Sequence, residues 1–159
     1  MRTLPLFAVL LGVAGLIPFV ATSLGAVSLQ GDWPRLSLLA LQAYAAVILA
    51  FLGGVHWGVA LEVGINQSAR TQRLRFGLGV TPSLIGWAGL VVTFVGLPLV
   101  GLAIQAAGFI GLTIAEARGT HSGLIPRSYM ALRWGLSIVV ILCLVSVLIV
   151  LTFGGHVVL

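Results

Sequence analysis

The chain contains no lysine, one cysteine and only three acidic residues, Asp32, Glu62 and Glu116. Charged residues make up 7% of its 159 positions, where a soluble domain carries roughly a quarter. So few polar groups exclude a water-soluble globule, because they cannot cover its surface. The mean hydropathy of +1.21 excludes disorder, which has the opposite compositional bias. The single Cys143 excludes an internal disulfide. One Asp and two distant Glu make no carboxylate pair for acid–base work. There is no G-x-S-x-G, no H-E-x-x-H, no paired-cysteine motif and no phosphate loop. Nothing in the chain therefore points to an enzyme, and no metal or cofactor is implied.

What the chain has instead is apolar length. Sixty per cent of its residues are hydrophobic, and a bilayer-crossing helix needs about 20 of them in a row. Five stretches qualify, at 4–24, 36–61, 76–95, 98–115 and 129–153. Residues 76–115 are too long for one crossing and are broken at Gly96-Leu97-Pro98, a turn signal. The first stretch, which follows Arg2, has the look of a signal peptide. Its apolar run is long for a signal core, so it is read as a retained first helix. The expected fold is all-α: a polytopic membrane protein, with five transmembrane helices in one compact bundle over residues 1–159.

The cations are eight arginines, giving a net charge of +5. They stand singly between apolar runs, which argues for topology signals and against nucleic-acid binding. With five crossings, Arg2, Arg70, Arg73, Arg75, Arg118, Arg127 and Arg133 fall on one side and only Arg35 on the other. That bias predicts a cytoplasmic N-terminus and an external C-terminus. Arg70, Arg73 and Arg75 are expected in a 62–75 loop lying on anionic lipid headgroups. The external segment of greatest length, Gly25 to Arg35, offers Trp33 as an interfacial anchor. Arginine without lysine, beside heavy use of Ala, Gly, Leu and Val, suggests a GC-rich genome. The expected location is therefore a bacterial inner membrane.

Lipid gives helices no hydrophobic reason to associate, so close backbone approach must do it. Gln42, Ala46, Ala50, Gly54, Gly58 and Glu62 recur every fourth residue on the second helix. Ala103, Ala107, Gly111 and Ala115 do so on the fourth. These small-residue ridges are expected to pack neighbouring helices, or to receive a helix of another protein. Pro18 and Pro82 should kink their helices. The flanking Thr81 and Ser83 hydroxyls are expected to satisfy the carbonyl that Pro82 frees.

Few polar groups lie at depth. His56, beside Trp57, is a candidate because an ionisable residue within a span is costly. Its plainer role is a neutral histidine bonded to a neighbouring helix. Glu62 and Glu116 end helices on the side where Arg133 begins one, which predicts a Glu–Arg cluster. Gln105 should hydrogen-bond across helices. His121 and His156 fall at other levels, against a bis-histidine haem.

The run Phe51-Leu52-Gly53-Gly54-Val55-His56-Trp57-Gly58 resembles the transmembrane protein 69 family. The preceding Tyr44-Ala45-Ala46-Val47-Ile48-Leu49-Ala50 extends the likeness. So do Thr81-Pro82-Ser83-Leu84-Ile85-Gly86-Trp87 and Tyr129-Met130-Ala131-Leu132-Arg133. Ser128 stands where a second aromatic would be expected before that tyrosine. The resemblance implies a small multi-span protein of bacterial inner membranes or mitochondria. It carries over no catalytic residue, and it draws attention to His56-Trp57.

The resulting expectation is a non-catalytic accessory or assembly subunit of a larger inner-membrane complex, respiratory or photosynthetic. The alternative is a small proton, ion or solute carrier using His56 and the Glu62/Glu116 cluster.

Overall fold

The computed structural model describes residues 6–28, 30–62, 69–119 and 127–154. Six helices lie among them: α1 Leu6–Ala14, α2 Leu16–Ser28, α3 Trp33–Glu62, α4 Ala69–Phe94, α5 Pro98–Gly119 and α6 Arg127–Phe153. Five helical stretches are long and apolar enough to cross a membrane: Val9–Ser28, Trp33–Gly58, Phe76–Phe94, Pro98–Arg118 and Ala131–Phe153. They coincide with the five apolar runs of the sequence, and the protein is an all-α polytopic membrane protein. Large apolar side chains such as Phe51, Leu84 and Leu142 are more than half exposed. In water they would be a liability; in hydrocarbon they meet their own kind.

Helix ends follow local chemistry. The irregularity expected from Pro18 falls three residues earlier, at Gly15, which alone parts α1 from α2 within the single spanning stretch Val9–Ser28. Pro18 has no N–H for the Ala14 carbonyl and its ring would clash there. The Gly15 amide still makes the helical bond to the Leu11 carbonyl at 3.0 Å. The new helix then holds Pro18 in its first turn, where a missing N–H costs nothing. Gly31, at φ 70°, turns the chain into α3. The Asp32 carbonyl opens that helix by accepting from the Leu36 amide at 3.1 Å. Asp is among the preferred residues at this position. α2 ends at Ser28 and α3 begins at Trp33, closer in sequence than the segment expected from Gly25 to Arg35.

The turn read at Gly96-Leu97-Pro98 is built from three local bonds. The Gly96 amide reaches the Thr93 carbonyl at 3.0 Å and the Leu97 amide the Val92 carbonyl at 3.1 Å. This is a Schellman cap, and it needs the left-handed φ of 92° that Gly96 supplies. Pro98 then opens α5, while the Leu97 carbonyl accepts from Gly101 at 3.0 Å.

One boundary and one hydroxyl partner, both on α4, need correction. α4 starts at Ala69 and not at Phe76, so Arg70, Arg73 and Arg75 stand on helix where a loop was expected. Hydropathy finds only the part at hydrocarbon depth, whereas helix propensity favours Arg and Gln as well. α4 also runs unbroken through Pro82. The Thr81 hydroxyl donates to the Gly77 carbonyl at 2.8 Å, not to the Leu78 carbonyl that Pro82 leaves without its helical donor.

The described residues gather into two units. One takes in residues 1–41 and 109–159, the other Gln42–Gly108. In the first, α2 packs along α6. Phe19, Leu38, Phe109, Leu112, Leu144 and Val147 are buried there. The Phe19 and Phe109 rings meet edge to face, 6.0 Å between centroids, a favoured aromatic geometry. In the second unit, buried Ala45, Leu49, Leu102 and Ala106 surround a set of glycine contacts.

Candidate functional site

In the unit of residues 42–108, backbone approach is set by glycine. A Cβ on Gly86 would lie 2.9 Å from the Ala46 Cα, and one on Gly89 would lie 2.9 Å from the Gly101 carbonyl oxygen. A Cβ on Gly53 would overlap the Gly79 backbone beside the Pro82 ring. The close approaches therefore fall on Gly53, Gly86, Gly89 and Gly101. The ridge read from every fourth residue behaves differently. Gln42 is buried and Ala46 half-buried, but Ala50, Gly54 and Gly58 are exposed. Steps of four residues advance about 40° around a helix of 3.6 residues per turn, so the ridge winds off the packed face. On α5, Ala103 and Ala115 are half-buried, while Ala107 and Gly111 are exposed.

Where the glycines bring helices together, polar side chains fill a layer. Gln42 and Gln105 are fully buried, and Thr93 is 6% exposed. The Gln42 amide nitrogen donates to the Pro98 carbonyl at 2.9 Å. Gln105 Nε2 donates to the Gln42 carbonyl at 3.0 Å and to the Gly86 carbonyl at 3.2 Å. The single Thr93 hydroxyl hydrogen has two acceptors, Gln42 Oε1 and the Gly89 carbonyl, the latter at 3.0 Å. Backbone of three helices, at Gln42 of α3, Gly86 and Gly89 of α4 and Pro98 of α5, is thereby bonded by three neutral side chains, the Thr93–Gly89 bond lying within α4. Bonds of this kind hold helices in lipid, at about 0.6–2 kcal/mol each. Gln105, of α5, thus donates to backbone of α3 and of α4. Thr93 was not singled out from the sequence; the signal was a hydroxyl in an apolar run one turn before the Gly96 cap.

The octapeptide around His56 and Trp57 contributes packing on the same unit. Trp57 Nε1 donates to the Phe76 carbonyl at 3.2 Å. Its indole meets the Phe76 ring edge to face at 5.2 Å and lies where a side chain on Gly79 would have to go. Gly53 and Trp57, one turn apart, thus join α3 to α4. His56 is half-buried on α3.

In the other unit, Glu116 of α5 and Arg133 of α6 form a buried ion pair. Their side chains are 4% and 8% exposed. Arg133 Nε donates to Glu116 Oε2 at 2.7 Å, and Nη2 donates to Oε1. The planar guanidinium matches the carboxylate with two parallel bonds. Each charge neutralises the other where water does not reach. Glu62 closes α3, and its side chain lies outside the described ones, as do those of Arg70, Arg75 and Arg127. Arg73 is exposed. Arg2, His121 and His156 lie outside the described residues. Among the described residues, no three of His, Cys, Asp and Glu converge.

Comparison with known proteins accords with this architecture. Transmembrane protein 69 of Xenopus tropicalis is 36% identical over 91 residues, covering 57% of this chain and 35% of that protein. Its counterpart in Mus musculus is 34% identical over 84 residues, covering 53% and 33%. The chain thus spans about a third of the length of these curated relatives. The molybdenum transport system permease protein ModB of Mycobacterium tuberculosis is 29% identical, with 82% of this chain and 53% of that protein covered. No solved structure matches. A family model described as a protein of unknown function, DUF3429, matches residues 4–149. That match takes in every spanning helix apart from the last turn of α6, so the chain belongs to the DUF3429 family.

Proposed function

We propose that this protein is a non-catalytic accessory or assembly subunit of a larger complex in a bacterial inner membrane, respiratory or photosynthetic. The observation that carries the reading is the bare line on α3. Ala50, Gly54 and Gly58 are exposed, and nothing lies within 4 Å of the position a Cβ would take on Gly54 or Gly58. Such a groove admits another helix's backbone closely, and close backbone contact is what drives association in lipid. Ala107 and Gly111 make a second exposed pair on α5. The buried polar groups support the same reading: Glu116, Arg133, Gln42, Thr93 and Gln105 are engaged in ties within their own units. The arginine bias gives the orientation, N-terminus in the cytoplasm, with Arg70, Arg73 and Arg75 at anionic headgroups.

The test is photo-crosslinking in native membranes from position 54, 58 or 111, with exposed Trp87 as the control position. One discrete adduct from the glycine positions and none from Trp87 is expected. Monomer alone from all four positions refutes the docking surface.

A second reading, a small carrier using His56 and the Glu62/Glu116 cluster, draws on the similarity to ModB, a protein named as a transport permease. Flux into liposomes that falls on His56→Ala would favour it over the subunit reading. Flux that survives both His56→Ala and Glu62→Gln would remove those residues as its site.

A further inference from the structure

The polar layer of the 42–108 unit is one hydrogen-bond donor short. Gln105 is fully buried, and among the described residues its Oε1 meets no donor. Turning the amide over does not help. Its nitrogen faces the Gln42 and Gly86 carbonyls, which only accept, so the oxygen must take the other side. A carbonyl buried at membrane depth without a donor is costly enough to require a partner. A side chain of another protein cannot supply it, because Gln105 has no exposed surface.

We infer that Gln105 Oε1 binds a water molecule held within the membrane-spanning part of this unit. The rest of the layer has the capacity a water needs. Of the four amide hydrogens on the two glutamines, three have carbonyl acceptors at Pro98, Gln42 and Gly86. One hydrogen on Gln42 has none among the described residues. The Thr93 oxygen gives up its hydrogen and keeps its lone pairs. The Gln42 hydrogen and the Thr93 lone pairs belong to the same bonded set of residues as Gln105, and buried waters take two to four such partners. A bare cation would suit the oxygens and leave the Gln42 hydrogen unmet. Water serves both.

Water-edited solid-state NMR of the full chain in lipid bilayers, with labelled glutamine and leucine, tests this. Magnetisation should pass from water to the Gln105 side-chain carbonyl carbon at mixing times at which Leu102, equally buried on the same helix, receives none. Gln30, which is exposed, serves as the wet reference. A Gln105 signal as dark as Leu102 overturns the inference. So does a saturable shift of the Gln105 carbon on adding sodium or lithium chloride, which would assign the site to a cation. Gln105→Met keeps the chain length and removes both amide atoms. Where this variant folds, transfer to the Gln42 side chain should vanish, and its persistence would overturn the shared site. Where it does not fold, the unsubstituted protein decides the question alone.

Discussion

Arg133 and Glu116 show how a residue pair in lipid differs from the same pair on a soluble surface. An exposed ion pair contributes about 1 kcal/mol or less. This one is more than nine-tenths buried on both sides, so each partner depends on the other for its charge. Removing one alone strands the other, at a cost of about 3–5 kcal/mol. Arg133→Leu or Glu116→Leu should therefore sharply lower the denaturant midpoint of the protein in mild detergent. The double substitution should recover most of the loss. Equal losses in all three variants would show that the pair contributes packing and not charge balance. Glycine substitutions separate by the same local logic. Gly101→Ala would press a methyl on the Thr93 hydroxyl and the Gly89 carbonyl, and backbone cannot step aside. Overpacking of this kind costs about 1–3 kcal/mol. Gly111→Ala meets nothing within 4 Å and should change the midpoint little, within about 0.5 kcal/mol.

At the scale of elements, the ends of the helices are the most determinate feature. Gly96 holds a φ of 92°, a region that costs an L-residue about 1–2 kcal/mol. Gly96→Ala should destabilise the protein by that amount, read from thermal unfolding followed by circular dichroism. Gly96→Asn should be milder, since Asn visits the left-handed region more readily. These caps were legible in the sequence because Gly-x-Pro is local chemistry. The break at Gly15 was only half legible. Pro18 signalled a kink, and the irregularity lies at Gly15, about one turn before it. Pro82 lies inside a continuous α4, its ring beside Gly53. Gln105 could be read as a cross-helix donor from its depth alone. Thr93 could not, because a hydroxyl in a helix already has the carbonyl one turn back as its default partner.

For the whole molecule, five spanning helices imply an odd number of crossings, which would put the two ends of the chain on opposite sides. The prediction is that a reporter active only in the cytoplasm works at the N-terminus and fails at the C-terminus, and that a periplasmic reporter does the reverse. Both ends reporting from one side would remove the odd number of spans. Replacing Arg70, Arg73 and Arg75 together with glutamine should weaken the orientation bias, since these three supply much of it. A mixed population in the reporter assay is the expected result. The exposed glycine line on α3 belongs to this scale too, because only the assembled surface tells which small residues face outward.

The sequence alone determined the environment, the number of spans and the turn at Gly96-Leu97-Pro98. These depend on composition, run length and the local chemistry of Gly and Pro, none of which needs a neighbour in space. The tertiary structure decided which small residues do the packing. Gly53, Gly86, Gly89 and Gly101 meet backbone, while Gly54, Gly58 and Gly111 meet nothing, although all seven are the same residue in similar apolar runs. A helix face is defined by angle, and an offset of one residue turns it by about 100°. Only the neighbouring helix fixes which of those angles is inside.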